Sequence, residues 1–103
     1  MKLSEMNAHQ KLAFMYVKNE LTDVIGGYEN DIQDNTPDSE AYKTAQAFLS
    51  KSHEELVNQF YTWVMASIEA DAKKGIVSAK HAKFAGADFI KERIDKRLIK
   101  WGY

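Results

Sequence analysis

The histidines of the chain are the side chains best suited to bind a metal ion. Helical metal ligands usually stand three or four residues apart, as in a Glu-x-x-His pair. Glu5 and His9 are four residues apart, but no second pair accompanies them. His53 falls in the first turn of a predicted helix, and His81 lies among lysines. The pattern favours three exposed histidines, so we expect no metal site and no cofactor.

Carboxylates and nucleophiles also lack a catalytic arrangement. Glu20 and Asp23 stand three apart on a predicted helix, but Mg²⁺-dependent phosphate chemistry needs further carboxylates that converge on the same site. The sequence has no cysteine. It also has no Gly-x-Ser-x-Gly nucleophile motif and no glycine-rich phosphate loop. We therefore expect a protein that is not an enzyme and that has no small-molecule substrate.

The composition bounds the size and location of the protein. With 103 residues, of which 45% are hydrophobic, the chain has enough apolar material for one modest core, so we expect a single helical domain over residues 1–103. The absence of cysteine fits a reducing compartment. No apolar run reaches the roughly 18 residues of a membrane span, and the N-terminus lacks a signal-peptide core. We expect a cytoplasmic protein without a membrane partner.

Charge is divided unevenly along the chain. Residues 1–70 carry 5 Lys/Arg and 11 Asp/Glu, a net −6, whereas residues 71–103 carry 9 and 4, a net +5. The overall charge of −1 hides this asymmetry. An acidic body and a basic tail are complementary to each other, which favours self-association, and a basic tail also suits nucleic acid.

The stretch from Ser52 to Gly75 has the strongest helical pattern. Ser52 and Glu55 form a capping box at its start, and Gly75 is placed to end it. From Leu56 onward its apolar face spans about 200°, twice the width of an ordinary surface stripe. We expect this segment to be the central helix and to pack against two neighbours.

The stripe that begins at Tyr42 runs in phase through Ser52, which favours one long helix starting at Pro37 over two helices that meet near residue 51. Asn7 and Gln10 form a second capping box at the start of the first helix. A phase break at Gly86 predicts a bend before the last helix. The predicted fold is an all-α antiparallel three- or four-helix bundle with a long central helix, and its helices cover residues 5–32, 37–73, 79–85 and 88–101.

Several apolar residues fall outside the core-facing stripes of their helices. Exposed apolar patches mark interfaces, so these residues predict a protein-interaction surface, with a homodimer or a complex with another protein as its product. The alternative is that bends in the chain bury them. The candidate interaction surface comprises Leu12, Met15, Tyr16, Phe84, Phe89 and Ile99.

A basic segment near the C-terminus predicts a nucleic-acid-binding module as the alternative function. The order of short helix, glycine turn and basic helix resembles a helix-turn-helix, and Ala82, four residues before Gly86, fits that motif. Glu92 and Asp95 do not fit, because they stand where the second helix should be apolar. The candidate basic face comprises Lys80, Lys83, Lys91, Arg93, Lys96, Arg97 and Lys100.

Asp71 interrupts the wide apolar face of the central helix. Either the core ends at this point and Asp71 pairs with a C-terminal lysine or arginine, or Asp71 is a partly buried carboxylate at a binding cleft. Because it stands where the acidic body meets the basic tail, it is a candidate site residue in both interpretations.

Overall fold

The fold is all-α, as predicted. A computed structural model describes residues 2–76 and 83–103, and this part of the chain contains no strand. Two 3₁₀ turns, Leu3–Glu5 and Lys83–Ala85, accompany four α-helices. The helices are α1 (Ala8–Asp34), α2 (Glu40–Leu49), α3 (His53–Lys73) and α4 (Ala87–Lys100).

One core joins the four helices. Helices α1 and α3 are antiparallel: Tyr16, near the start of α1, donates a hydrogen bond to Asp71, near the end of α3. Helices α3 and α4 are also antiparallel, and the ammonium of Lys91 in α4 lies over the ring of Tyr61 in α3. Consequently α1 and α4 run in the same direction. The buried core residues are Ala13, Val17, Leu21, Ile25, Phe48, Leu56, Phe60, Val64, Ile68, Ile90, Ile94 and Leu98.

The wide apolar face of α3 has the neighbours that its width predicted. It packs against α1 and α4, and Phe60 and Trp63 also contact the ring of Phe48 in α2, with centroids 5.8 and 5.5 Å apart. However, α1 also packs against all three other helices, so α3 shares the central position with α1.

The prediction of one continuous helix from Pro37 is wrong. Helix α2 ends at Leu49, and Ser52 has an extended backbone (φ −61°, ψ 155°). The Ser52 hydroxyl accepts a hydrogen bond from the Glu55 amide at 3.2 Å and donates one to the Glu55 carboxylate at 3.0 Å. Half of the predicted capping box is therefore observed, because the Glu55 carboxylate bonds the Ser52 hydroxyl rather than the Ser52 amide. A continuous apolar phase is compatible with a break, and the Ser52 N-cap decides between the two structures because it satisfies a backbone N–H group of α3 locally.

The start of α2 also differs from its prediction. The Thr36 hydroxyl does not cap a helix but donates to the Asp38 carboxylate at 2.6 Å. That hydrogen bond lowers the pKa of Asp38. Ser39 accepts from the amide of Tyr42 instead, so the helix begins three residues after Pro37.

Other helix ends agree with their sequence signals. Asn7 and Gln10 form the reciprocal capping box of α1. Gly75 has φ +84° and ends α3, and Gly86 has φ +91° and makes the bend before α4; both values lie in the left-handed region that favours glycine. Most of the short helix predicted over residues 79–85 lies outside the described residues, and its last three form a 3₁₀ turn.

Replacing Ser52 with alanine tests the break between α2 and α3. We expect Ser52→Ala to lower the free energy of unfolding by about 1 kcal/mol, because the amide of Glu55 in the first turn of α3 loses its acceptor. In a continuous helix the same change would be neutral or stabilising, because alanine is the better helix former. Chemical denaturation measures the sign, and Ser50→Ala, which removes no N-cap, is the matched control.

Candidate interaction surfaces

One exposed apolar surface lies on α1. Met15 is 55% exposed, and Lys11 and Lys18 stand one turn before and one turn after it on the same side of the helix. Leu3, from the preceding 3₁₀ turn, is 56% exposed. We call this surface the Met15 knob. It borders a cavity of about 640 Å³ lined by Leu3, Ser4, Lys11, Phe14, Met15 and Lys18.

A basic pocket adjoins the Met15 knob, because Phe14 lines both cavities. The guanidinium of Arg97 lies 5.9 Å from the ring centre of Phe14 and 5.8 Å from that of Trp101. Cation–π contacts with a ring of α1 and with the ring of the residue that follows α4 hold Arg97 in place. The pocket has a volume of about 230 Å³ and is lined by Phe14, Arg93, Lys96, Arg97 and Lys100.

The predicted basic face is therefore divided. Four of its seven residues line the basic pocket. Lys91 lies elsewhere, with its ammonium 4.9 Å from the ring centre of Tyr61 on α3. Lys80 and the side chain of Lys83 lie outside the description. The structure thus concentrates positive charge between α1 and α4 rather than along one continuous strip.

The six predicted interface residues also separate into two groups. Leu12, Tyr16 and Phe89 are partly buried and pack against the core, although Leu12 and Tyr16 lie on the unbroken helix α1 and not at a bend. The other three remain exposed: Met15, Phe84 at 71% and Ile99 at 63%. These three lie on different elements, and Phe84 has an edge-to-face contact with the His9 ring at 5.5 Å.

An acidic groove lies between α1 and α3. Asp23 and Asp31 stand on either side of Gly27, and the indole of Trp63 forms part of the wall. A Cβ atom added at Gly27 would meet nothing within 4 Å, so this chain does not fill the space that the glycine leaves. We call this surface the Gly27 groove. Its volume is about 370 Å³, and it is lined by Glu20, Asp23, Val24, Gly27, Tyr28, Asp31 and Trp63.

Asp71 has a different partner from the one the sequence suggested. The Tyr16 hydroxyl donates to its carboxylate at 2.5 Å. Burial, reinforced by the Asp71 carboxylate, raises the pKa of Tyr16 to about 12. In the described part of the chain no lysine or arginine forms an ion pair with Asp71. The hydrogen bond therefore joins α1 to α3, with the Tyr16 hydroxyl as its donor and the Asp71 carboxylate as its acceptor.

His53 joins α3 to α4, although the sequence favoured an exposed histidine. Its Nε2 contacts the Asp95 carboxylate, and its Nδ1 lies 3.0 Å from the carbonyl oxygen of Tyr103. Both partners are acceptors, so the protonated ring, with two N–H donors, satisfies both. The hydrogen bond to Asp95, followed by the one to Tyr103, raises the pKa of His53.

No protein-family model, curated protein or solved structure matches this chain. Within residues 2–76 and 83–103, no three His, Cys, Asp or Glu side chains are grouped so that they could hold a metal ion. No described helix is both long and apolar enough to cross a membrane. The arrangement offers binding surfaces: a knob with lysines, a basic pocket and an acidic groove.

The His53 contact predicts a pH-dependent stability. A raised pKa means that the contribution of His53 is fully present below its unfolded value near 6.5 and is lost as pH rises through the folded value. Because the side chain is 36% exposed, we expect at most about 1 kcal/mol. His53→Gln should therefore destabilise the protein more at pH 5.5 than at pH 9 in denaturant titrations. An equal loss at both pH values would contradict a charged contact; Lys91→Gln is the control.

Proposed function

We propose that this is a non-enzymatic protein-interaction protein that associates with further copies of itself. In the proposed contact the Met15 knob of one copy enters the Gly27 groove of the next. The observation that supports it is a match in pattern: an exposed apolar side chain between two lysines, and an open glycine position between two aspartates.

The spacings along α1 agree with this contact. Lys11 and Lys18 are seven residues apart, about 10.5 Å at the helical rise of 1.5 Å per residue. Asp23 and Asp31 are eight residues apart, about 12 Å by the same rise. Flexible lysine side chains span the difference. Met15 lies between the lysines as Gly27 lies between the aspartates, so all three contacts can form together.

The chemistry of the two surfaces is complementary. Burying the side chain of Met15 removes apolar area from water, and its thioether suits the neighbouring face of Trp63. In the described part of the chain, the lysines of the knob and the two aspartates of the groove form no ion pairs of their own, so their charges remain available. Exposed ion pairs contribute little affinity but orient the partner and speed its approach.

The contact would be heterologous, because the knob and the groove are different surfaces. The Gly27 groove is lined by α1 and by Trp63 of α3, and none of its residues lines the cavity beside Met15. A dimer, the smallest product, leaves one knob and one groove free. Further copies can therefore add until the assembly closes into a ring or grows as a filament.

Nucleic-acid binding is the alternative function, and the basic pocket is the observation that favours it. Two features argue against it. Lys91 lies on another side of α4, so the cations of that helix do not form a strip along which a phosphate backbone could run. Glu92 on the same helix accepts from Lys96 at 2.9 Å, which reduces the positive field. A cytoplasmic location belongs to the proposal and is supported by the lack of cysteine.

Charge reversal tests the proposed contact. Lys11→Glu/Lys18→Glu gives a chain whose knob and groove are both acidic, and Asp23→Lys/Asp31→Lys gives one in which both are basic. We expect each variant alone to associate at least about tenfold more weakly than the wild type, because attractive pairs become repulsive. An equimolar mixture should recover association, because each surface then meets its opposite. Sedimentation velocity at low salt measures all four samples.

Two kinds of result would contradict the proposal, and they can be told apart. A wild-type chain that remains monomeric at millimolar concentration would overturn self-association altogether. Wild-type association that neither variant weakens, or variants that the mixture does not rescue, would show that other surfaces are used. Circular dichroism of each variant confirms that it is folded.

The adjacent glycines provide a second test. Gly26→Gln and Gly27→Gln should each stabilise the folded chain by about 0.5 kcal/mol, because glycine is a poor helix former and neither position is crowded. Only Gly27 lines the groove. Gly27→Gln should therefore weaken self-association while Gly26→Gln leaves it unchanged. Equal effects of both substitutions on association would contradict the proposed groove.

A further inference from the structure

We infer that the basic pocket between α1 and α4 is an oxyanion site centred on Arg97, and that it takes a terminal phosphoryl group. The ligand class is inorganic phosphate or a small phosphate monoester. The inference goes beyond self-association. Neither Met15 nor Gly27 lines this pocket, so the site can exist on a monomer.

Like charges crowd one side of α4. Each cation of the pocket has two others three or four residues away, the spacings at which helical side chains are neighbours. Like charges at these spacings destabilise a helix. Glu92 compensates part of this charge: it lies 2.9 Å from Lys96 and 3.7 Å from Arg93. Arg97 and Lys100 form no ion pair in the described part of the chain, so their two positive charges remain for a bound anion to neutralise.

The guanidinium of Arg97 is positioned in advance. Its cation–π contacts with Phe14 and Trp101 restrict its movement, which lowers the entropy lost when it binds a ligand. In the described part of the chain Arg97 has no carboxylate partner, and its Nε is buried without a hydrogen-bond acceptor. A guanidinium has a fork of N–H donors that matches two oxygens of a phosphate or carboxylate.

Solvation alone does not account for this arrangement. Exposed cations are commonly neutralised by water and salt, but the side chain of Arg93 is only 10% exposed and Arg97 is half-buried. Two guanidiniums are thus partly withdrawn from water beside two lysines. This partial burial of the two guanidiniums strengthens their interaction with an anion, because water and salt screen them less.

The shape and charge favour a terminal phosphoryl group over a nucleic-acid strand. The pocket is a concavity of about 230 Å³ with no carboxylate in its lining. Arg97 and Lys100 contribute two positive charges that pair with no carboxylate in the described part of the chain, so a group with nearly two negative charges balances them better than a single carboxylate. A diester backbone carries one charge per phosphate and needs cations on both sides of the pocket along its path.

The experiment titrates the full chain with inorganic phosphate at constant ionic strength. The readouts are the ¹H–¹⁵N resonances of the Arg97 Nε–H and the Trp101 indole N–H. We expect saturable shifts of both. Arg97→Gln should abolish the Trp101 shift, and Arg97→Lys should weaken phosphate binding about tenfold, because a point charge replaces the fork. Lys91→Gln is the matched control: it removes a cation of the same helix outside the pocket and should bind as the wild type.

A second variant guards against a folding defect. Lys100→Gln removes a pocket cation without touching the Phe14–Arg97–Trp101 stack and should weaken binding several-fold. Shifts that do not saturate, that equimolar chloride reproduces, or that Lys91→Gln reduces as much as Lys100→Gln would overturn the site. A parallel titration with glycerol 3-phosphate distinguishes the two possible ligands. If it binds more tightly than inorganic phosphate, the ligand is a phosphate monoester, and if it binds more weakly, the ligand is the free ion.

A short random DNA duplex forms the last arm. We expect it to cause no shift of Arg97 at concentrations where phosphate binds. If the duplex displaces phosphate at lower concentration, with an affinity that falls steeply with salt, the ligand is a nucleic-acid backbone and the small-phosphate assignment is overturned. Self-association measured with and without phosphate is a separate readout, so a monomeric protein that binds phosphate would contradict only the proposed function.

Discussion

The buried stripe of α1 is the constraint on which the rest of the structure depends. Ala13, Val17, Leu21 and Ile25 are almost fully buried against all three other helices. Because this stripe faces the core, the two flanks of α1 must face the gaps beside α3 and α4. One flank carries lysines and Met15, and the other carries carboxylates and Gly27. The charge separation of the sequence therefore appears across a single helix as well as between the two ends of the chain.

Local signals predicted most of the fold. Capping boxes, a terminal glycine and apolar periodicity located α1, α3 and α4 because each acts within a few residues of its own position. Two errors came from signals that compete locally. Thr36 and Ser39 both suit an N-cap, and the contact of Thr36 with Asp38 leaves Ser39 to cap α2. The apolar stripe keeps the same phase through Ser52 whether the segment is one helix or two. Periodicity alone therefore did not predict the break.

The candidate surfaces were harder to predict because their residues meet across the chain. Exposure of Met15 follows from its position off the stripe of α1. The stacking of Phe14 on Arg97 does not, because 83 positions separate them and the pairing depends on the parallel orientation of α1 and α4. His53 is similar: its acceptors lie 42 and 50 residues away. A sequence read by helical spacing showed which charges were present but not which of them would share a pocket.

The ring of Phe14 is a wall common to the cavity beside Met15 and the pocket of Arg97. A rotation of this side chain would therefore change the wall of both spaces at once. If the ligands of the two spaces prefer different positions of this ring, their binding is thermodynamically linked. Such linkage is reciprocal, because each ligand changes the affinity of the other by the same factor. Phe14 is thus a physical route by which binding at one of these two sites would change the affinity of the other.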